Sequence, residues 1–325
     1  MLVTIDTEGD GLWWRPRRVE TRNAAFLPRF QALCERYGLR PTYLTTYEMA
    51  LSPRFRELGV DVLRRGTGEI GTHLHAWDSP PAYRLTADDL AHHPYLTEYP
   101  PAVMRAKIEY LSDLLEETFQ VPMRSHRAGR WKLDERYARL LLERGYRVDC
   151  SVTPYVSWAS KRGDPQGGGG ADYSAFPDDP YFVNLDDIGR PGSSPLLEVP
   201  MTIRRRGSSL LRAIGRLGPA ARPLRVLAGR LFPARWLRPN GRNVTQLLRL
   251  ADVAVAERRR YVQCMLHSSE LMPGGSPSFP SEASIERLYE HLEQLFGHVT
   301  RYGVGTTLAD FHSLHAPARP ARGRS

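Results

Sequence analysis

The chain of 325 residues has few cysteines and no long apolar run. Its three cysteines, Cys34, Cys150 and Cys264, are scattered and lack the spacing of metal ligands, which argues against a disulfide framework. We interpret them as buried, unreactive thiols of a protein from a reducing cytoplasm. No apolar stretch approaches the roughly 20 residues that cross a bilayer. We also expect no cleaved leader, because the first residues already read as a core strand.

Acidic residues are missing from one long segment, Arg204–Arg242, which holds eleven arginines. The formal net charge is +9, yet without those eleven arginines the 45 basic residues would fall below the 36 acidic ones. The segment mixes arginine with aliphatic and aromatic residues. This composition is typical of an amphipathic helical hairpin that lies on an anionic membrane, here the cytoplasmic face of the inner membrane. A solvated insertion or a dimer contact is the alternative. We expect no nucleic acid as partner, because no recognised binding module accompanies the charge.

Strand-like and helix-like segments alternate along the rest of the chain, which predicts βα repeats and a mostly parallel sheet. Seven or eight such units favour an α/β fold, a distorted (β/α)7-type barrel with a basic helical insertion. An open doubly wound sheet is the alternative. We expect one domain over residues 1–315, interrupted by the segment 204–242, which has no strand signal. The tail, residues 316–325, is predicted to be disordered.

Ionisable side chains follow three of the predicted strands. Asp6 and Glu8 end the first, His73 and His75 the third, and His267 the last. A carboxylate base, a histidine-rich metal site and an acid histidine are the minimum parts of a metal-assisted hydrolase. In an extended segment, residues two apart point to the same side, so each pair can serve one site. Barrel enzymes keep their chemistry where strands end.

Five short motifs carry a resemblance to a known family. They are, in order, Thr4–Gly9, Glu69–Trp77, His126–Trp131, Val148–Pro154 and Leu266–Leu271. With these motifs the chain resembles the polysaccharide deacetylase family, carbohydrate esterase family four, also called NodB-like. The similarity spans the first residues to about Phe311. It implies a distorted barrel, a divalent metal, most often zinc, and hydrolysis of N-acetyl groups on sugars.

The resemblance also implies roles for single residues. Asp6 matches the catalytic base and Arg127 the arginine that orients it. Glu8 and His73 match metal ligands. The family usually places its second metal histidine four residues after the first, where this chain has Trp77. We therefore expect His75 to be the third ligand.

Several positions stay open at this stage. His92 and His93 could replace His75 as ligands, although we expect them at the surface. His267 matches the general acid and Asp149 the carboxylate that polarises it, with Glu270 as a competing partner.

Trp77 and Trp131 are expected to form walls for a sugar ring. The predicted function is removal of an N-acetyl group from an amino sugar of a glycan, a glycolipid precursor or a glycosylated metabolite. A cytoplasmic location favours a soluble or lipid-linked glycan precursor or a glycosylated metabolite as the substrate. The alternatives are a deformylase acting on a formamido sugar, which would use the same residues, and an inactive scaffold that binds glycan or membrane.

Overall fold

The computed structural model describes residues 1–12, 19–161, 163, 169–205, 224 and 232–315. Most of the basic segment and the whole tail 316–325 lie outside these residues, as does part of the glycine-rich loop Gly163–Asp172. The predicted amphipathic hairpin and the predicted disorder of the tail are therefore untested.

A nine-stranded sheet organises the described residues. Seven of its strands run parallel, in the order β11-β1-β2-β3-β4-β5-β8. Two further strands, β6 and β7, extend it as an antiparallel hairpin. The strands of the sheet are β1 (Leu2–Thr7), β2 (Thr42–Thr45), β3 (Glu69–Leu74), β4 (Ser125–Ala128), β5 (Val148–Asp149), β6 (Tyr181–Asn184), β7 (Asp187–Pro191), β8 (Leu197–Glu198) and β11 (Gln263–His267). The α/β class with a central parallel sheet is thus confirmed.

Helices connect the strands from β1 to β5, and others precede and follow β11. They are α1 (Leu27–Arg36), α2 (Tyr47–Ala50), α3 (Pro53–Arg65), α4 (Asp89–His92), α5 (Pro101–Phe119), α6 (Glu135–Arg144), α7 (Val244–Ala256), α8 (Glu282–Val299) and α9 (Leu308–His315). Local sequence explains several of their ends. The Asp134 carboxylate accepts a hydrogen bond from the backbone of Tyr137 and so caps α6. Gly145 ends the same helix at φ 102°, a conformation that favours glycine.

The main apolar core lies between the sheet and these helices. Buried aromatic rings from α3, β2 and α5 meet there edge to face, with Phe55 about 6.0 Å from Tyr43 and 5.9 Å from Phe119 between ring centroids. This geometry places the positive ring edge on a negative ring face. All three cysteines are buried, as predicted.

The two ends of the parallel sheet approach each other through side chains. The backbone N–H of Gln263 in β11 donates to Oγ1 of Thr202, just beyond β8, at 2.8 Å. Met201, Ile203 and Met265 pack together in the same gap. The sheet therefore curls toward closure, as a distorted barrel requires.

Two details of the fold differ from the predictions. The antiparallel hairpin β6–β7 was not expected. The basic segment also contains a strand, β10 (Arg235–Trp236), which pairs antiparallel with β9 (Ile203–Arg204), so the expectation of no strand between Arg204 and Arg242 was wrong. A two-residue strand leaves too short a pattern to read from sequence. No helix among the described residues is long and apolar enough to cross a bilayer.

Candidate metal centre and active site

The register of the parallel strands gathers the predicted site residues at one edge of the sheet. Asp6 pairs with His267 across β1 and β11, and His73 pairs with Arg127 across β3 and β4. These pairs lie at or near the C-terminal ends of their strands, so side chains remote in sequence converge there. The site is therefore a direct consequence of strand pairing.

Glu8, His73 and His75 form a compact group of possible metal ligands. One ligand atom from each lies within 4.8 Å of the other two. Nε2 of His75 is 3.1 Å from Oε2 of Glu8, and Nε2 of His73 is 3.7 Å from the same oxygen. All three residues are buried. Two imidazoles and one carboxylate make a donor set that suits zinc and leaves further coordination positions open.

The protonation of these side chains also suits a metal. Burial lowers the pKa of both His73 and His75 to about 4, so both rings are neutral at neutral pH, as ligation requires. Nδ1 of His73 lies 2.9 Å from the backbone oxygen of Arg127. That bond places the ring proton on Nδ1 and leaves the Nε2 lone pair directed at Glu8. Burial raises the pKa of Glu8, a cost that a bound cation would offset.

Asp6 lies beside the metal group and is held by Arg127. Nη1 of Arg127 donates to Oδ1 of Asp6, and both side chains are buried. Burial opposes ionisation of Asp6, but the charges of Arg127, His73 and His267, together with the Arg127 hydrogen bond, outweigh it and lower the pKa of the carboxyl to about 2. Arg127 is fixed in turn by bonds to the Thr4 hydroxyl and the Cys150 carbonyl. Only Oδ2 of Asp6 remains to face His73 and the cavity.

His267, at the end of β11, completes the group. Its Nε2 is 3.8 Å from Oδ2 of Asp6 and 3.9 Å from Oε1 of Glu8. Its Nδ1 is 3.3 Å from Oε2 of Glu270 and 2.8 Å from Nη2 of Arg238. Burial and the charge of Arg238 lower the pKa of His267, but the carboxylates of Glu8 and Glu270 raise it overall.

Asp149 does not take the place beside His267 that the resemblance implied. Its carboxylate accepts hydrogen bonds from the backbone and the hydroxyl of Ser151, and it shares a buried contact with Glu198. The carboxylate of Asp149 is thus engaged between β5 and β8, whereas Glu270 lies one turn after His267. Glu270, the competing candidate, is the residue that contacts His267.

A cavity of about 420 Å³ opens directly above these groups. Its walls include Trp77 and Trp131, the two residues expected to contact a sugar, together with Tyr95 and Trp158, which the sequence did not single out. His92 and His93 do not line it. Aromatic faces beside a few convergent polar groups are typical of small-ligand sites.

Two functional positions have an unusual backbone that sequence reasoning missed. Arg130 and Trp131 follow β4 with φ values of 56° and 60°, which is costly for residues other than glycine. Both line the cavity. Arg238, beside His267, was also missed, because it lies in the basic segment, whose arginines share no pattern that sets one apart.

Comparison with solved structures identifies the fold. The chain is similar to a putative polysaccharide deacetylase from Mycobacterium smegmatis, with a TM-score of 0.50 and 14% identity over 100% of this chain and 95% of the other. It is also similar to a putative glycoside hydrolase/deacetylase from Parabacteroides distasonis, with a TM-score of 0.60 and 11% identity over 97% of this chain and 70% of the other. At these identities the likeness shows a shared fold. Neither family models nor curated proteins gave a match.

Proposed function

We propose that this chain is a metal-dependent hydrolase of the polysaccharide deacetylase type, which removes an N-acetyl group from an amino sugar. One observation carries the proposal: Glu8, His73 and His75 converge beneath an open cavity that Asp6 and His267 also line. The two solved structures with this fold, a putative polysaccharide deacetylase and a putative glycoside hydrolase/deacetylase, support the same reaction class.

Glu8, His73 and His75 would hold the metal, and their donor set favours zinc. When bound, such a divalent cation supplies Lewis-acid polarisation of the amide carbonyl and activation of a water molecule. The protein supplies the rest of the site. His73 lies on β3, while Glu8 and His75 directly follow β1 and β3. The strands therefore set the positions of the two neutral imidazoles and the buried carboxylate.

Asp6 is suited to accept the proton of the attacking water. Arg127 occupies Oδ1 and fixes the orientation of the carboxylate, which leaves Oδ2 directed toward the cavity. Because its pKa is lowered to about 2, Asp6 is fully ionised at neutral pH and available as a base. The contact with Arg127 that fixes the Asp6 carboxylate also lowers its basicity.

His267 is suited to protonate the leaving amine. An amide nitrogen departs poorly as an anion, so the reaction needs an acid on the far side of the carbonyl. Nε2 of His267 lies within 4 Å of a carboxylate oxygen of Asp6 and of Glu8, next to the metal group. The raised pKa of His267 favours the protonated form that this step consumes. Glu270 holds the ring through Nδ1.

The aromatic walls support a sugar as substrate. Trp77 and Trp131 line the cavity, where an indole can pack on the apolar C–H face of a pyranose, while the polar groups below receive its acylamino substituent. We also keep as proposals a cytoplasmic location and peripheral contact of the segment 204–242 with an anionic membrane. Liposome co-sedimentation with and without anionic lipid tests that contact, and equal binding to both would end it.

Acetate release tests the proposed reaction. The full-length chain, loaded with zinc, should release acetate from at least one member of a panel of N-acetyl amino sugars, free, nucleotide-linked and lipid-linked. A chelator should abolish the release and added zinc should restore it. Matched N-formyl substrates separate deacetylase from deformylase. Failure of both acetate and formate release across the panel, from a chain that binds zinc, would refute the proposal and favour the inactive scaffold.

A further inference from the structure

Glu8 stands just beyond the end of a strand. β1 ends at Thr7, and the pairing of β1 with β2 ends at the same residue. A metal ligand needs a fixed backbone, because a site works only when its donor atoms stay within about 0.5 Å of their proper positions. Contacts beyond the paired part of β1 must therefore hold the backbone of Glu8.

The hydroxyl of Ser268 binds both backbone groups of Glu8. Its Oγ accepts a hydrogen bond from the N–H of Glu8 at 3.1 Å and donates to the carbonyl oxygen of Glu8 at 3.0 Å. A hydroxyl can do both at once, because it has one proton and two lone pairs. Ser268 is fully buried and lies 260 positions away along the chain. This single side chain thus supplies the two contacts that a neighbouring strand would otherwise give.

Two further side chains hold the same stretch of backbone. Nδ2 of Asn23 donates to the carbonyl oxygen of Glu8 at 2.8 Å, and Oε1 of Glu48 accepts the N–H of Gly9 at 2.7 Å. Gly9 is packed so closely that a Cβ added there would lie 2.0 Å from Cγ1 of Val19. Side chains from three separate parts of the chain therefore fix the turn that carries the Glu8 carboxylate.

Ser268 also joins Glu8 to the strand that carries His267. It directly follows His267, the last residue of β11, and His267 pairs with Asp6 in the sheet. Its hydroxyl therefore continues the contact between these two parts of the chain past the last paired residues. The same contact fixes the segment of Glu8 beside that of His267, whose Nε2 lies 3.9 Å from Oε1 of Glu8.

We propose that Ser268 is a positioning residue of the metal centre. By holding both backbone groups of Glu8, its hydroxyl places the carboxylate where it meets His73 and His75. Without the hydroxyl, two buried backbone groups lose this partner and the carboxylate loses its restraint. Partners that orient metal ligands are typically worth about 10- to 100-fold in metal affinity. This inference rests on the proposed function for the presence of the metal.

Zinc affinity of the full-length chain, measured by competition with a chromogenic chelator, tests the role of Ser268 without turnover. Ser268→Ala should bind zinc about tenfold more weakly than the natural chain. The matched control is Ser284→Ala, which should bind zinc like the natural chain. The buried Ser284 hydroxyl makes the same pair of bonds to one residue, Ser281, with the N–H at 3.0 Å and the carbonyl oxygen at 2.5 Å, and it lies outside the cavity lining.

Urea unfolding of the metal-free proteins separates positioning from folding. Both variants lose the two hydrogen bonds of a buried serine, so both should lose stability to a similar degree, yet only Ser268→Ala should lose zinc affinity. Should Ser268→Ala fail to fold, Asn23→Ala replaces it. That variant removes the other side-chain bond to the carbonyl of Glu8 and should also weaken zinc binding.

Two results would overturn the role of Ser268. One is a zinc affinity in Ser268→Ala, or in Asn23→Ala where it serves as the replacement, that equals that of the natural chain. The other is an equal loss of zinc affinity in Ser284→Ala. Both results leave the proposed function intact, whereas a natural chain that binds no zinc would refute the proposed function and the role of Ser268 together.

Discussion

Nε2 of His75 lies 3.1 Å from Oε2 of Glu8, although 67 positions separate the two residues in the chain. His75 stands two residues after His73, where the strand-like spacing directs both rings to the same side. The second histidine thus follows the first by two residues in an extended backbone, whereas the polysaccharide deacetylase family usually places it four residues after the first. Trp77, at that fourth position, lines the cavity instead and packs on His75 at 4.3 Å between ring centroids.

Removal of the His75 imidazole should therefore weaken metal binding. We expect His75→Gln to lower the affinity for zinc by about 100-fold or more, because a ligand is lost from a three-residue set. Competition with a chromogenic chelator measures the affinity. His92→Gln is the matched control, since His92 is exposed and outside the cavity lining, and it should bind zinc like the natural chain. A normal affinity in His75→Gln would exclude His75 as a ligand.

Asp6 should be separable from the metal site. Asp6→Asn keeps the size of the side chain but removes its basicity, so we expect turnover to fall by about 10²- to 10⁴-fold. Zinc content, measured by atomic emission, should be unchanged, because the ligands are Glu8, His73 and His75. Full activity in Asp6→Asn would refute its role as base, and loss of zinc would make it a ligand instead.

Glu270 and Asp149 offer a direct test of which carboxylate supports His267. Glu270→Gln weakens the contact with Nδ1 of His267, so kcat should fall by about 10- to 100-fold with little change in KM. Asp149→Asn should change kcat by no more than about threefold, since the carboxylate of Asp149 contacts Ser151 and Glu198 and not His267. The reverse order of effects would restore Asp149 as the partner.

Much of this site could be predicted from the sequence, for a physical reason. Asp6, His73 and His267 each end a strand with an evident apolar pattern, and parallel strands bring their ends to one edge. Arg127 likewise lies next to the last residue of a parallel strand, β4. These positions depend on local patterns and on a single rule of sheet geometry, so a sequence contains nearly all the information needed to place them.

The rest depended on tertiary contacts that no local pattern records. Glu270 contacts His267 because the chain turns into a short helix directly after β11, which sequence spacing alone could not distinguish from a longer-range partner. The positive φ of Arg130 and Trp131 is held by surrounding structure, because neither residue type favours it. The two-residue strand β10 exists only through its pairing with β9.

The buried carboxyl groups of Asp149 and Glu198 should make the free energy of unfolding depend on pH. Burial, with Asp149 nearby, raises the pKa of Glu198 well above its usual value of 4.5. The folded state therefore binds more protons than the unfolded state above that pH, so stability contributed by protonated Glu198 is full below about 4.5 and falls as pH rises toward the folded pKa.

Urea denaturation across pH measures this effect. Glu198→Gln cannot ionise, so its unfolding free energy should fall less between acid and neutral pH than that of the natural chain. Glu286→Gln, at an exposed surface ion pair, is the matched control and should keep the natural pH dependence. Identical pH profiles for Glu198→Gln and the natural chain would show that Glu198 is ionised in the folded protein.

The most direct measurement is a crystal structure of the zinc-soaked full-length chain with anomalous data at the zinc edge. A single strong anomalous peak should lie about 2.0–2.2 Å from Nε2 of His73, Nε2 of His75 and a carboxylate oxygen of Glu8, with Asp6 and His267 facing the same ion across the cavity. A peak on other residues, or none at that place, would contradict the account.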